Sequence, residues 1–96
     1  EVAEEFNRRV TTGLLNKTLE DAVQKHPPAM VRGGRTKLYY ATQAAVRPPT
    51  FVIFTNRPDD IHFSYERYLQ NCFRDAFGFK GAPIRIRFKG RGKKEG

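Results

Sequence analysis

Three clusters of cationic residues are the parts of this sequence able to do chemistry. Arg85, Arg87 and Lys89 alternate with Ile84, Ile86 and Phe88. That period of two is the mark of a half-buried strand with one charged face. Arg32, Arg35 and Lys37 lead into a second alternating run in which Tyr39 follows Lys37 at the same parity. Arg91, Lys93 and Lys94 extend the charge into a glycine-rich tail. Guanidinium and ammonium groups at this density neutralise phosphates and release counterions, and an exposed tyrosine beside them can stack on an unpaired base. The competing reading is that the same face is covered by a neighbouring protein domain, its cations paired to that domain's acids.

Catalytic groupings are not legible. Nucleotide hydrolysis needs a GxxxxGK phosphate cradle followed by Ser or Thr, and Gly33-Gly34-Arg35-Thr36 lacks that spacing. His26 and His62 are far apart and Cys72 has no CxxC partner, so no metal-ligand pattern emerges. Asp59-Asp60 stands where a helix start favours acids through capping and the dipole. Cys72 lies on an apolar helical face and reads as a small core residue. Ser64 has no activating base suggested by the sequence. The chain is expected not to be an enzyme by itself, with no catalytic, cofactor or metal residues.

The charge is unevenly placed. Residues 1–25 carry five acids and four bases, whereas residues 26–96 carry fourteen bases and five acids. A basic body of this kind suits a polyanion, an acidic protein face or an anionic surface. The single cysteine excludes an internal disulfide and fits a reducing compartment. No apolar run reaches the roughly 20 residues of a membrane span, and no signal-peptide pattern is present. A cytoplasmic location, with no membrane and no disulfide partner, is the expectation.

The elements that must position the cations follow from periodicity. Val2, Phe6 and Val10 recur every four residues as a short amphipathic helical segment. Thr12 is a suitable N-cap for a second helix, in which Leu15, Leu19, Ala22 and Val23 share one face. Pro27-Pro28 ends it. After the basic loop Arg32-Gly33-Gly34-Arg35 the period becomes two: Leu38, Tyr40 and Thr42 share one parity, Lys37, Tyr39, Ala41 and Gln43 the other. Arg47-Pro48-Pro49 turns the chain into Thr50–Thr55, apolar enough for a central strand, and the two strands form an antiparallel hairpin. Residues 56–60 are a turn into a helix whose apolar face is Tyr65, Leu69, Cys72, Phe73, Ala76 and Phe77, with Gly78 as its left-handed terminator. The expected fold class is α+β: a two-layer α-β-β-α-β domain whose three-stranded sheet is covered by helices on one face only. The strand order is not fixed by this pattern.

The strings VRGGRTKLYYATQAAVRPPTFVIFTNRP and HFSYERYLQNCFRDAFGFKGAPIRIRFKGR, with the NRRV opening and the HPP stop before them, resemble the C-terminal KH-like domain of the bacterial double-GTPase family Der, also called EngA. The resemblance runs from about Arg8 to Arg91. It implies a KH-like domain over 11–90, with residues 1–10 closing a preceding GTPase domain or its linker and 91–96 a flexible basic tail. It also implies a parent whose two GTPase domains use GTP and Mg²⁺ outside this chain and which assembles the large ribosomal subunit. The present domain would then contact ribosomal RNA and pack against a G domain. The alternative is a purely protein-interaction or regulatory module with no direct RNA contact. RNA-binding KH modules clamp the backbone with a GXXG loop between two helices. Gly78-Phe79-Lys80-Gly81 matches literally but lies between a helix and a strand, where a helix C-cap plus turn is the stronger account. The expected RNA-binding set is Arg32, Arg35, Lys37, Tyr39, Lys80, Arg85, Arg87, Lys89, Arg91, Lys93 and Lys94.

Overall fold

The computed structural model describes residues 9–29, 34–79, 81 and 83–90. Helix α1 spans Thr12–Lys25, strand β1 Leu38–Ala45, strand β2 Thr50–Thr55, helix α2 Phe63–Phe77 and strand β3 Arg85–Gly90. A 3-10 turn at Pro58–Asp60 precedes α2. The α-β-β-α-β order and the α+β class agree with the sequence. Of the expected N-terminal segment, Val10 is buried in the core; residues 1–8, the tail 91–96, Arg32 and Lys80 lie outside the described residues.

The sheet order is β1-β2-β3. Strand β2 is central, antiparallel to β1 and parallel to β3. A parallel neighbour requires a crossover, and α2 supplies it. Its Leu69, Phe73 and Phe77, one turn apart, are buried against the sheet. Phe51 on β2 meets this row: its ring lies 5.2 Å from Phe73, 6.0 Å from Phe77 and 6.5 Å from Phe79. Leu15, Leu19 and Ala22 of α1 join Ala41, Phe51, Ile53, Ile84 and Ile86 in the same core. Both helices therefore cover one face of the sheet, and no helix among the described residues covers the other.

Local chemistry sets the ends of the helices. The N-cap of α1 is Thr11, whose hydroxyl accepts from the Leu14 amide at 3.3 Å, rather than Thr12. Strand-like backbone at Thr11 (φ −65°, ψ 148°) leaves Thr12 free to enter the first turn. Helix α2 ties down the end of α1: Tyr68 donates to Ala22 O, which also accepts the His26 N–H, and Tyr65 donates to His26 O, each tyrosine bond at 2.7 Å. Burial pushes the Tyr68 phenol up to about 12 and raises Tyr65 as well. Helix α2 is capped by His62, which accepts from the Ser64 amide, so Asp59 and Asp60 sit in the preceding 3-10 turn instead of its first turn. It ends at Gly78 with φ 78°, a left-handed conformation that glycine adopts without a Cβ penalty. No helix among the described residues is long and apolar enough to cross a membrane.

Strand β1 departs from simple alternation. Leu38 pairs with Thr55, but the next partner of Phe54 is Tyr40, which leaves Tyr39 as an extra residue. Such a bulge reverses the parity of the residues after it, here as far as a second irregularity between Gln43 and Ala45. Leu38 and Ala41 consequently both face the core, and Tyr40 and Thr42 are exposed. The expected common face of Leu38, Tyr40 and Thr42 is thus corrected, as is that of Lys37 and Tyr39 with Ala41 and Gln43. The free edge of β1 is closed by side chains. Ala41 N donates to Asn16 Oδ1 at 2.7 Å and Asn16 Nδ2 donates to Ala41 O at 3.0 Å. Beside them Gln43 Oε1 accepts from Val10 N, and Arg9 Nη1 donates to Gln43 O.

Candidate nucleic-acid interface

Strand β3 alternates as its sequence dictates: Ile86 is buried, while Arg85, Arg87 and Lys89 are exposed. Ile86 packs with the helix-covered core, so the three cations project from the opposite, open face. At about 3.3 Å per residue they form a column with a spacing of about 6.6 Å. The ion pairs among the described residues are Lys17–Asp21 and Arg57–Asp60, and no acid among those residues neutralises the column.

The register shows what lies beside it. Arg87 is level with Val52 and then Thr42; Lys89 is level with Phe54 and then Tyr40. The Tyr40 and Phe54 rings are stacked, 4.6 Å between centroids and 23° between planes. Tyr40 is 42% exposed. The open face therefore presents a cationic column and an aromatic pair, with Val52 buried between them at 8% exposure. Tyr40, Phe54 and Val52 were not among the residues expected from the sequence. A signal did exist for two of them: a central strand with helices on one side sends Val52 and Phe54 to the other. Tyr40 could be found only by knowing of the bulge.

The second predicted cluster is placed elsewhere. Arg35, Lys37 and Tyr39 line a cleft of about 700 Å³ with Val23, Gln24, Pro27, Pro28 and Leu38, beside α1. Strand β1 is separated from β3 by the central strand, so these cations and the β3 column do not form one cluster. Tyr39 sits on the bulge. The Arg35–Lys37 segment is fixed from β2's end: Lys37 N donates to Asn56 Oδ1 at 2.9 Å, Asn56 Nδ2 donates to Arg35 O at 3.0 Å, and Thr55 Oγ1 donates to Lys37 O at 2.6 Å. Arg32, Lys80, Arg91, Lys93 and Lys94 lie outside the described residues.

The GXXG match is built into the fold. Gly78 terminates α2, Phe79 is 1% exposed in the aromatic core, and Gly81 has φ 75°. No group of three His, Cys, Asp or Glu residues among the described residues could hold a metal ion. Cys72 is half-buried against the core.

Residues 9–89 match the family described as "KH-domain-like of EngA bacterial GTPase enzymes, C-terminal". The chain is 61% identical over 94 residues to the GTPase Der of Syntrophotalea carbinolica, covering 98% of this chain and 21% of the relative. It is 58% identical over 88 residues to the GTPase Der of Moorella thermoacetica, covering 92% and 20%. Against the GTPase Der of Geotalea daltonii it is 54% identical over 96 residues, covering 99% and 22%. The chain thus spans about a fifth of the length of these curated relatives.

Proposed function

The chain belongs to the family of C-terminal KH-like domains of EngA bacterial GTPases, and from that premise we propose that it is the RNA-contacting accessory domain of a cytoplasmic ribosome-assembly GTPase. It contacts ribosomal RNA of the large subunit and packs against a G domain of the same protein, coupling nucleotide state to ribosome binding. The observation that carries this reading is the column Arg85–Arg87–Lys89, exposed and without an acid partner among the described residues. Cations held in a row by a strand neutralise successive phosphates without first having to be ordered. GTP and Mg²⁺ would be held by the parent's other domains, as the family membership implies. The sequence has no GxxxxGK cradle, and no carboxylate cluster stands among the described residues. Coupling requires that the domain distinguish the GTP-bound from the GDP-bound arrangement of its neighbours by a difference in binding free energy.

Salt titration tests the RNA contact. About six phosphate contacts to single-stranded RNA give a slope of log K against log salt of roughly −4. Changing Arg85, Arg87 and Lys89 to Gln together removes about two units of that slope and leaves the melting temperature in place. A flat salt dependence removes the reading. A purely protein-directed module is the second reading, favoured by the rings of Phe54 and Tyr40 beside the cations. Under it, deleting this segment from the whole GTPase changes GTP hydrolysis while the RNA affinity of the remaining protein is unchanged.

A further inference from the structure

We infer that the open sheet face selects single-stranded over double-stranded RNA by adding an unpaired base to the Tyr40–Phe54 stack. The inference rests on the RNA reading above and specifies its ligand. The ring separation of 4.6 Å matches the distance of about 4.8 Å between neighbouring strands, so the stack runs across the sheet toward β3. Phe54 is one strand from Lys89 and Tyr40 two strands from it, in a single register row. A nucleotide spans such a distance from phosphate to base. The next row is low on two of its strands: Thr42 and Val52 are level with Arg87. A strand crossing the face thus meets cations with its phosphates and aromatic carbon with a base.

This combination is a single-strand device. Base–aromatic stacking is tolerant of sequence because every base has a π-face, but it requires a base removed from its own helix. In A-form duplex the bases are stacked and paired, so a flat protein surface meets phosphates, 2′-hydroxyls and base edges but no free π-face. The column alone would hold both forms; the rings discriminate between them. A large exposed tyrosine stacked on a half-buried phenylalanine has no packing role that the core requires, since neither ring belongs to the buried cluster. The recognition lies on the sheet, away from the GXXG match, whose Phe79 is consumed by the core.

The test uses the 96-residue chain with a twelve-nucleotide oligouridine and a twelve-base-pair RNA duplex, by fluorescence anisotropy at several salt concentrations. Tyr40→Ala is expected to weaken oligouridine binding about five- to a hundredfold, the range for losing one stacked base. The salt slope and the duplex affinity stay as they were, and Tyr40→Phe restores single-strand binding. Phe54→Leu gives a second, independent loss, and thermal melting of each variant verifies the fold. If Tyr40→Ala and Phe54→Leu bind oligouridine like the parent while the triple Gln variant is weakened, the stacking inference is overturned and phosphate contact stands. If the parent binds neither RNA even at low salt, both are overturned and the face belongs to a protein partner.

Discussion

Asn16 stands in for a missing strand beside Ala41. Its carboxamide accepts the Ala41 N–H at 2.7 Å and returns a proton to the Ala41 carbonyl at 3.0 Å, and its second amide proton goes to Thr12 O at 2.9 Å. One side chain from α1 thus completes the edge of β1 and fixes the helix to the sheet at the point where the bulge has just changed the strand's phase.

Replacing Asn16 by Leu therefore leaves two half-buried backbone groups unpaired. The expected cost is about 2 kcal/mol, since an unsatisfied polar group costs about 1–3 kcal/mol and solvent reaches part of this edge. Urea denaturation measures it. Asn16→Asp keeps the acceptor and loses the donors, so its midpoint falls between the two. Asn16→Leu also exposes a pairing edge, and sedimentation is expected to show concentration-dependent self-association absent from the parent.

Tyr68 makes the fold sensitive to base. Its pKa rises from 10.0 to about 12, first because burial penalises the phenolate, and its proton is committed to Ala22 O. Above pH 10 the unfolded chain releases this proton while the folded chain retains it, so stability falls as pH rises. The contribution is fully present below pH 10 and is lost through about pH 12. Denaturation at pH 8, 10 and 11 checks this against Tyr68→Phe. The variant is about 1 kcal/mol weaker at pH 8 through the lost hydrogen bond, and the gap narrows at pH 11.

Phe79→Ala tests whether the GXXG-like segment is architecture. The ring lies among Phe51 and Phe77, and removing a buried phenylalanine costs about 3–5 kcal/mol. A large drop in urea midpoint is expected. A midpoint unchanged within error would show the segment to be independent of the core.

Asn56→Ala releases the Arg35–Lys37 segment. Its bonds to Lys37 N and Arg35 O are solvent-exposed and its third, from Thr55 Oγ1, is long at 3.4 Å, so the stability loss is modest, about 1 kcal/mol. Amide exchange at Lys37 is the sharper readout and is expected to accelerate.

The sequence was legible wherever one element's own period settled the matter. Leu69, Phe73 and Phe77 recur at helical spacing, and Gly78 marks the stop whatever the rest of the chain does. Arg85, Arg87 and Lys89 declare their common face against Ile84, Ile86 and Phe88. The helix-covered face was legible for the same reason. Strand β1 was not, because a bulge is decided between elements: Leu38 reaches the core and Asn16 holds Ala41, and the odd residue between them, Tyr39, is displaced. That displacement moved the aromatic member of the open face from Tyr39 to Tyr40, while β2, lying between β1 and β3, separates Arg35 and Lys37 from the β3 column. The parallel placement of β3 was hidden similarly, since it depends on where α2 returns the chain.

The two rims of the sheet are unlike. Along β1 the backbone is occupied by carboxamides and by Arg9, whereas β3 ends the sheet with no further strand among the described residues. Among the described residues, the rim left for growth of the sheet is that of β3. There, two copies of the chain approaching rim to rim bring Arg85, Arg87 and Lys89 against their own duplicates, and like-charge repulsion keeps the molecules apart. The same side chains that invite a polyanion discourage the domain from polymerising with itself.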